Sequence, residues 1–593
     1  MGYSSTSIYF VLIITTFQFQ LIRAPPPQEQ QQVPETFDFV IVGGGTAGCA
    51  LARRLSDSGE HSVLVLEAGI IPDPGLDVPA LASSFLSNPN YARTYYSIPQ
   101  RNADLENGGI TTYRVGRTLG GSSSVNSMHF NRGNANDYNT WAAITGDRSW
   151  RYENLMKYFR RTENYAGIFP SNQHGQDGPI TVSLPKYVPL LNEWLSAGRF
   201  LRYPVADPNG PQRISFCPAE YSKRLGRRVS SYTGYLKPVL GSRPNLRVVL
   251  RAEARRVIFN GNQAVGVQFR SNVDGIPIDS VVYARKEIII SAGAIETPAL
   301  LLKSGIGPKN VLDAARIRPV KYLNVGQNLQ DHVAVRLDFV IKNRSLAFIQ
   351  ERDLNPRTLR YFNEVGDGPY AAYSGFGGQA FISTTGQGNL TNIPDIQLFH
   401  LVSPGVPVLY PERPNIQTAE WEVSTSAFVL VANPLSRGSL SLNLTDVNSS
   451  PVIDFQYLTH PTDMRVMIDG MEMAMKIFEN TPQFRRLGAR FPPNQFPPCG
   501  RLQFRSRPYW ECHAKQSATS FMHASGTCAM GSGADDPLAV VDNQLRVIGI
   551  RGLRVVDASI MPTITNANLQ AAVYVTAEKA SDMILRQWQN SRI

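Results

Sequence analysis

The chain has 593 residues, a hydrophobic content of 42% and a formal net charge of +11. This length suffices for about two or three domains with a sizeable core. Lys and Arg are scattered along the chain instead of gathering on one helix with interleaved aromatic residues, which argues against nucleic-acid binding and indicates solvated basic faces. No two of the eight histidines stand at the helical spacing of a metal-ligand pair and no C-x-x-C occurs, so we expect no metal site.

The N-terminus indicates export. Residues 1–24 contain an apolar stretch that is too short to span a bilayer and is followed by polar and aromatic residues, which predicts a secretory signal peptide. A membrane anchor is the alternative, because no Lys or Arg precedes the apolar stretch. Residues 25–36, rich in Pro and Gln, form a leader. We expect a secreted protein with no membrane span once the signal peptide is removed.

Two further features agree with an oxidising, extracellular location. The N-x-[ST] sequons predict glycosylation at Asn343, Asn389, Asn443 and Asn448. Cys499 and Cys512 flank a polar, basic segment at hairpin-like separation and are the natural disulfide pair in such a compartment. Cys49 lies in a helical pattern and Cys528 in a Gly-rich motif, so both are expected as buried thiols. The state of Cys217 stays open.

The first folded stretch predicts a dinucleotide-binding unit. Phe37–Val42 is almost continuously apolar, as in a strand that is buried on both faces. Gly43, Gly45 and Gly48 follow at G-x-G-x-x-G spacing, which permits a tight turn, lets backbone amides approach a pyrophosphate and allows a helix to pack closely on the strand. The phosphates would then lie at a helix N-terminus.

A second strand, Ser62–Leu66, ends at Glu67, where this fingerprint places an acid for the ribose hydroxyls. An acid there disfavours a 2′-phosphate, which leaves NAD or FAD, and the motif alone does not choose between them. Further on, Gly120 and Gly121 precede Ser122–Ser124 between apolar flanks. That composition favours a second phosphate- or ring-binding loop.

The middle of the chain mixes helical and strand patterns. Helical spacing occurs at residues 155–163 and 190–201, and strand patterns occur at 245–259 and 264–269. Glu287–Ser291 then reads as a buried strand that leads through a Gly turn into a helix. This is a second strand-turn-helix unit of the nucleotide-binding type.

The remaining chain changes to a pattern of strands and Pro-rich loops and then returns to the strand-turn-helix pattern of the N-terminal part. From Val333 to Gln516, strand-like segments alternate with Pro-rich loops, which predicts a separate domain with a mainly antiparallel sheet and helices. Gly552–Ser559 is a strand pattern that closes on Asp557, and Ala571–Leu585 has helical spacing. The two ends of the chain are therefore predicted to complete one domain.

Six segments stand in the order of one known family. They are Phe37–Gly69, Gly116–Asn126, Ser291–Pro308, Val325–His332, His523–Gly531 and Val555–Asn568. Together they resemble the glucose-methanol-choline (GMC) oxidoreductases over nearly the whole chain, and YWEC at Tyr509–Cys512, paired with Cys499, resembles the animal and especially the arthropod branch. Membership implies FAD, which resolves the choice that the fingerprint leaves open.

The resemblance implies a fold that combines α/β with α+β. A discontinuous, Rossmann-like FAD-binding domain would comprise residues 37–160, 240–332 and 520–593, and an antiparallel-sheet substrate-binding domain would comprise residues 161–239 and 333–519. The residues expected at the ADP half of FAD are Gly43, Gly45, Thr46, Ala47, Gly48, Glu67, Ala68 and Ala254. Those expected along the flavin are Thr118, Ser122, Asn126, Ser127, Met128 and His129, and those near the pyrophosphate and ribityl chain are Asp557 and Ala558.

Two positions carry the chemistry that the resemblance implies. His523 matches the catalytic histidine, and an imidazole of near-neutral pKa can accept an alcohol's hydroxyl proton while the adjacent carbon gives a hydride to flavin N5. Asn568 matches the second active-site position, where an amide can hold the substrate oxygen and orient His523 but cannot act as a second base. Where members with a covalent flavin have a histidine, just before the position of Asn126, this chain has Val125, so FAD is expected to bind non-covalently.

The substrate side departs from the family pattern. Met522 stands where an aromatic residue is common, Ala524-Ser525 replaces a frequent Pro-Val, and Leu569-Gln570 follows the second active-site position. We expect a small alcohol as substrate: an aromatic alcohol, a cyanohydrin such as mandelonitrile, or a sugar. Oxygen is the expected electron acceptor, giving hydrogen peroxide, and a quinone-dependent dehydrogenase is the alternative. A further alternative is an FAD-containing hydroxynitrile lyase. In such an enzyme the flavin would stay oxidised when the substrate is added.

Overall fold

The structure is a computed structural model, and it describes residues 36–211, 214–273, 275–384, 393–404, 418–493 and 496–590. The predicted signal peptide at residues 1–24, the predicted leader except for its last residue, and the predicted glycosylation site Asn389 lie outside these residues. Among the helices in the described ranges, none has both the length and the apolar character of a membrane span.

The secondary structure alternates helices and strands along the chain. The strands are β1 (Thr36–Val42), β2 (Val63–Leu66), β3 (Ala92–Tyr96), β4 (Thr112–Gly116), β5 (Glu163–Ala166), β6 (Ile180–Ser183), β7 (Ser215–Pro218), β8 (Tyr221–Arg224), β9 (Arg227–Arg228), β10 (Leu246–Val249), β11 (Ala252–Asn260), β12 (Gln263–Val273), β13 (Ile276–Ile290), β14 (Ile306–Gly307), β15 (Lys321–Tyr322), β16 (Val333–Ile341), β17 (Phe376–Ile382), β18 (Ile396–Leu401), β19 (Val423–Val431), β20 (Ser439–Ser441), β21 (Val452–Asp454), β22 (Thr519–Ser520) and β23 (Leu553–Val555). The α-helices are α1 (Thr46–Ser56), α2 (Ala135–Thr145), α3 (Tyr152–Thr162), α4 (Leu191–Phe200), α5 (Gly293–Lys303), α6 (Lys309–Ala314), α7 (Gln350–Asp353), α8 (Pro356–Val365), α9 (Pro461–Asn480), α10 (Pro482–Arg485), α11 (Arg507–Ser517) and α12 (Gln570–Asn590). Short 3₁₀ helices span Pro74–Asp77, Pro79–Ser87, Leu105–Asn107, Gly121–Ser124, Arg148–Trp150, Arg344–Leu346, Pro369–Ala371, Pro497–Cys499 and Ala558–Ile560, and a π-helix spans Tyr232–Leu236.

The larger sheet carries the predicted dinucleotide-binding unit. Within the described residues it has seven strands, in the order β10-β2-β1-β13-β12-β11, with β23 beside the end of β13. Strands β10, β2, β1, the last part of β13 and β23 run parallel, whereas β11, β12 and the first part of β13 form an antiparallel extension. Phe39, Val40 and Ile41 in β1 have no exposed surface. Burial on both faces explains the continuous apolar run there.

The last segment of the chain returns to this sheet, as the sequence predicts. Strand β23 pairs with β13, and α12 packs against α1. Arg54 at the end of α1 and Tyr235 both bind the carboxylate of Glu578 on α12, with Nη2 to Oε1 at 2.8 Å and hydroxyl to Oε1 at 2.8 Å. The carboxylate of Glu578 is fully buried and is therefore held by a cation and a hydroxyl instead of by water.

The second sheet is antiparallel, as expected from the pattern after Val333. In the described part of the chain it has six strands, in the order β22-β16-β19-β18-β17-β7. All residues of β16 to β19 are buried, and α9 packs on β16, β18 and β19. Strand β7 joins this sheet from the earlier part of the chain, which no local pattern indicates because the pairing is long-range.

Two expected elements differ in form. The pattern Gly552–Ser559 is a strand only at Leu553–Val555, because the carboxylate of Asp557 accepts a hydrogen bond from Ser559 N and begins a 3₁₀ turn. Cys499 and Cys512 form the predicted disulfide, but they join the end of a 3₁₀ helix to α11 instead of closing a hairpin. Cys49 and Cys528 are buried thiols, as predicted.

The disulfide gives a test of stability that leaves the larger sheet untouched. Replacing Cys499 and Cys512 together by Ala should lower the free energy of unfolding by about 3 kcal/mol, because the unfolded chain regains the freedom of a short loop. Chemical denaturation of the variant and of the wild type, each with and without reductant, measures the effect. Equal stability of wild type and variant under oxidising conditions would contradict the assignment.

Candidate active site

Two glycines of the first turn hold backbone segments in close contact. Gly43 has a φ of +100°, and a Cβ on it would lie 2.5 Å from the carbonyl oxygen of Ser291 at the end of β13. A Cβ on Gly48 would lie 1.9 Å from the carbonyl oxygen of Gly43. The first contact brings the turns after β1 and β13 together, and the second packs α1 against its own strand, as the fingerprint predicts.

One long cavity opens at this junction. Its wall includes most of the residues expected to bind a cofactor: Gly43, Gly45, Thr46, Ala47, Glu67, Ala68, Ser122, Asn126, Ser127, His129, Ala254, Asp557 and Ala558. The expected catalytic pair, His523 and Asn568, borders the same cavity. The structure thus brings together residues that are more than 500 positions apart in the chain.

Three of the expected cofactor residues do not border the cavity. Gly48 is at the contact between helix and strand described above. Thr118 is buried and its hydroxyl donates to the carbonyl of Ile70 at 2.6 Å. Met128 has a φ of +64° and its side chain packs in an aromatic cluster beside Tyr221. These three residues make contacts inside the protein instead of bordering the cavity.

Glu67 holds the first turn with both carboxylate oxygens. Oε2 accepts from Gly44 N at 2.8 Å and Oε1 accepts from Gly69 N at 2.7 Å. Burial raises the pKa of Glu67 to about 7, and the two backbone hydrogen bonds oppose that shift. A carboxylate oxygen has a second lone pair, so Glu67 can still accept from a ribose hydroxyl.

Asp557 fastens the second turn to the C-terminal segment. Its Oδ2 accepts from Gly293 N at 2.9 Å and from the hydroxyl of Thr297 at 2.6 Å, and its Oδ1 accepts from Ser559 N at 2.8 Å. Burial raises the pKa of Asp557, and the hydrogen bonds from Ser559 and Thr297 work against that effect. Both carboxylate oxygens of Asp557 therefore accept hydrogen bonds from the protein. These bonds fix the position at which β23 ends.

The cavity wall fits an elongated ligand with polar groups along its length. Ser291, Gln570 and His129 border the cavity, and their atoms Oγ, Nε2 and Nε2 are buried with no hydrogen-bond partner among the described residues. The first amides of α1, at Thr46 and Ala47, belong to residues that border the cavity and have neither an intrahelical partner nor a side-chain cap. Donors at a helix start beside a Gly-rich turn are the chemistry that binds a pyrophosphate.

Asn126 is held in one orientation at the expected flavin side. Its Oδ1 accepts from Arg228 Nη1 at 2.8 Å and from Met128 N at 2.9 Å, and its Nδ2 donates to Gln570 Oε1 at 2.6 Å. Gln570 is thereby turned so that its own nitrogen is the group without a partner. Val125, which precedes Asn126, borders the cavity with an aliphatic side chain.

The expected catalytic pair is in direct contact. Asn568 Nδ2 lies 3.2 Å from His523 Nε2, and His523 Nδ1 lies 2.8 Å from Nδ1 of His332. Desolvation lowers the pKa of His523 well below its usual value, and the nearby rings of His332 and His129 lower it further. The imidazole is therefore neutral at physiological pH and can accept a proton.

Aromatic rings surround the cavity beside this pair, and we call this part the aromatic end. It consists of Tyr373, Phe376 and Phe521, together with His129, Met522 and His523. The ring of Phe521 lies 5.5 Å from that of His523, and the ring of His129 lies 5.9 Å from that of Phe376. Burial lowers the pKa of His129 to about 3, so this histidine is neutral as well.

Several side chains that border the cavity or contact His523 cannot be recognised from the sequence. Tyr373, Phe376 and Phe521 carry no motif, and a cluster of aromatic loop residues near Tyr373 gives only a weak indication of a binding surface. His332 ends the segment VGQNLQDH, which marks the family without giving that histidine a role. Gln570 stands out only as a departure next to Asn568.

The fold and this site define a flavin-dependent oxidoreductase. Two family models, both described as GMC oxidoreductase, match residues 37–334 and 434–577. The chain belongs to the GMC oxidoreductase family. It binds FAD and acts on CH–OH donors.

Individual relatives cover almost the whole chain. The glucose dehydrogenase [FAD, quinone] of Drosophila pseudoobscura pseudoobscura is 32% identical over 562 residues, which are 93% of this chain and 87% of that protein. The crystal structure of pyridoxine 4-oxidase from Mesorbium loti is similar, with a TM-score of 0.78, 29% identity and coverage of 93% of this chain and 99% of that one. A fungal aryl-alcohol oxidase matches with a TM-score of 0.78, 26% identity and coverage of 94% and 100%.

The geometry of Glu67 yields a test of cofactor binding. In Glu67→Gln, the side-chain amide has one acceptor oxygen, so either Gly44 N or Gly69 N loses its hydrogen bond and the turn is distorted. We expect the dissociation constant of FAD to rise at least about tenfold. Fluorescence titration of the apoprotein measures it, with Glu60→Gln on the exposed loop before β2 as the control. Unchanged affinity in Glu67→Gln would show that the carboxylate does not shape the site.

Proposed function

We propose that the protein is a secreted oxidase of aromatic alcohols, with non-covalent FAD and with oxygen as the electron acceptor. The observation that carries this function is the juxtaposition of a neutral His523, the amide of Asn568 and the aromatic end in one cavity with the cofactor residues. The reaction converts the alcohol and oxygen into the aldehyde and hydrogen peroxide.

The chain's own groups account for proton transfer and orientation. Nε2 of His523 accepts the hydroxyl proton, and Nδ2 of Asn568, 3.2 Å away, can donate to the same substrate oxygen. FAD, when bound, supplies the hydride acceptor. The apolar rings around His523 exclude water and keep the imidazole unprotonated until a substrate binds.

The composition of the aromatic end supports an aromatic substrate over a sugar. A sugar would bring several hydroxyls against the rings of Phe376 and Phe521, which offer no hydrogen bond, and hydroxyls buried without partners are costly. None of the described side chains of the aromatic end is acidic, so a cationic substrate would find no carboxylate there. The two oxidases with similar structures, of pyridoxine and of aryl alcohols, agree with a ring-bearing alcohol and with oxygen as acceptor.

A quinone as electron acceptor is the second candidate, because the Drosophila relative is a glucose dehydrogenase named for FAD and quinone. Export is supported by the disulfide between Cys499 and Cys512 and by the exposure of Asn343 and Asn448, two of the predicted glycosylation sites. Non-covalent attachment is supported by Val125, whose side chain cannot form a bond to the flavin.

Anaerobic mixing of the FAD-bound protein with benzyl alcohol, glucose and mandelonitrile tests this function. We expect benzyl alcohol to bleach the flavin band, glucose to leave it unchanged, and admitted oxygen to restore it with one hydrogen peroxide per flavin. Slow recovery in oxygen and rapid recovery with a quinone would make the protein a dehydrogenase. Release of cyanide from mandelonitrile without bleaching would make it a lyase.

The role of His523 is tested in the same assay. His523→Ala should bind FAD normally but reduce it at least about 100-fold more slowly, since a general base contributes that much or more. His513→Ala, which removes a buried histidine that does not border the cavity, is the matched control. Reduction at the wild-type rate in His523→Ala would refute the assignment.

The bare nitrogen of His129 predicts a preference among aromatic alcohols. Its Nδ1 contacts the hydroxyl of Ser127 at 2.9 Å, its Nε2 is buried and has no partner among the described residues, and the residue itself borders the cavity. A ring substituent that can form a hydrogen bond should therefore improve kcat/KM by roughly tenfold relative to benzyl alcohol. In His129→Phe this preference among hydroxy- and methoxybenzyl alcohols should disappear while benzyl alcohol is still oxidised. An unchanged preference would remove His129 from the substrate site.

A further inference from the structure

Behind Asn568 lies a group of buried carboxamides, which we call the amide array. It consists of Asn131, of Gln379 on β17 and of Gln397 on β18, and each of these residues is at most 1% exposed. None of them carries a charge, and two come from the antiparallel sheet. Their hydrogen bonds have a direction that can be traced from the backbone.

The donor and acceptor roles in the amide array are fixed first by the carbonyl of Pro218. A carbonyl oxygen can only accept, so the end of Gln379 that lies 3.3 Å from Pro218 O carries the nitrogen, Nε2. Gln379 Oε1 then faces the donors. It accepts from Asn131 Nδ2 at 3.2 Å and from Gln397 Nε2 at 3.3 Å.

The same two nitrogens fix the amide of Asn568. Asn131 Nδ2 donates to Asn568 Oδ1 at 2.8 Å, and Gln397 Nε2 donates to it at 3.4 Å. If Asn568 were turned over, its NH₂ group would face two other NH₂ groups and these buried hydrogen bonds would be lost. Asn568 therefore points Nδ2 at His523, and Nε2 of His523 must be the acceptor.

The hydrogen bonds on the opposite side of His523 independently place its proton on Nδ1. His332 Nε2 lies 3.1 Å from the carbonyl oxygen of Ala432 and so carries a proton. Burial lowers the pKa of His332 to about 4, so its ring is neutral and its Nδ1 is an acceptor. Because Nδ1 of His523 lies 2.8 Å from that acceptor, Nδ1 of His523 is the donor.

We infer that His332 and the amide array are positioning residues that hold His523 in the tautomer with its proton on Nδ1. The lone pair of Nε2 accepts from Asn568 in the structure, and it becomes available to the substrate hydroxyl when Asn568 donates to the substrate oxygen instead. The inference rests on the proposed function, in which His523 is the base. When Nε2 takes up the hydroxyl proton, the ring becomes an imidazolium, and Nδ1–H still donates to His332. No ring has to turn and no proton has to leave Nδ1 before the reaction.

The other polar groups next to His523 do not compete for its ring nitrogens. Asp331 Oδ1 accepts from the backbone N of His523 at 2.6 Å, and its Oδ2 accepts from Tyr457 and Ser520. The hydroxyl of Tyr113 accepts from Ala524 N at 2.9 Å. These groups fix the backbone on both sides of His523, which leaves the state of the ring to His332 and Asn568.

Two replacements of His332 separate a role in positioning from a role in packing. His332→Asn keeps an acceptor close to the former Nδ1, whereas His332→Ala removes it. With FAD content and circular dichroism shown to be unchanged, we expect anaerobic flavin reduction to fall about 100-fold in His332→Ala and to stay within about tenfold of the wild type in His332→Asn. Flavin reduction at the wild-type rate in His332→Ala, or equal losses of rate in both variants, would show that His332 does not position His523.

The amide array is tested by the protonation of the ring itself. In FAD-bound protein with ¹⁵N-labelled histidine, the resonances of His523, assigned by their absence in His523→Ala, should show one protonated Nδ1 and one bare Nε2. Replacing Asn131 and Gln397 together by Leu removes both donors to Asn568, and we expect a mixture of tautomers and slower flavin reduction. A single, wild-type tautomer in that double variant would overturn the part of the array.

Failure of this inference can be told apart from failure of the proposed function. If His523→Ala reduced its flavin at the wild-type rate, the function proposed for the site would be wrong. If His523→Ala were inactive while His332→Ala and the double Leu variant behaved like the wild type, only the positioning roles would be wrong.

Discussion

The site depends on the contact between the backbone of Gly43 and the carbonyl of Ser291. Strands β1 and β13 are parallel neighbours, so their carboxyl ends meet at one edge of the sheet, and the absence of a side chain at Gly43 lets the two turns touch there. Any Cβ on Gly43 would push the two turns apart. Asp557, bound to Gly293 in the second turn, then sets the position of the C-terminal segment that carries Asn568.

The parts that sequence predicts are those with local causes. The contact of Gly48 with the carbonyl of Gly43 and the acid at the end of β2, which binds Gly44 N, are each fixed by neighbours within one strand-helix-strand unit. The ordered family segments predict the pair of His523 and Asn568, which the structure brings into contact. Motif position is a poorer guide to side-chain direction. Met128, expected along the flavin, has a left-handed backbone and points away from the cavity.

The parts that sequence misses have long-range causes. The aromatic end joins a loop residue such as Tyr373 to Phe521, 148 positions later, and no periodicity links them. The tautomer of His523 is set by the carbonyls of Pro218 and Ala432, acting through side chains from the antiparallel sheet and from loops. Asparagine and glutamine have no fixed direction until their partners are placed, so the sequence cannot state which atom of Asn568 faces the base.

We propose that a neutral imidazole, fixed in one tautomer by its surroundings, is the base that starts alcohol oxidation. The most direct measurement is the limiting rate of anaerobic flavin reduction by an aromatic alcohol as a function of pH. Because desolvation holds the pKa of His523 well below 6.5, the account predicts a rate that stays level as the pH falls through 6.5 and declines only below it. A rate that declines with an apparent pKa at or above 6.5 would contradict the account.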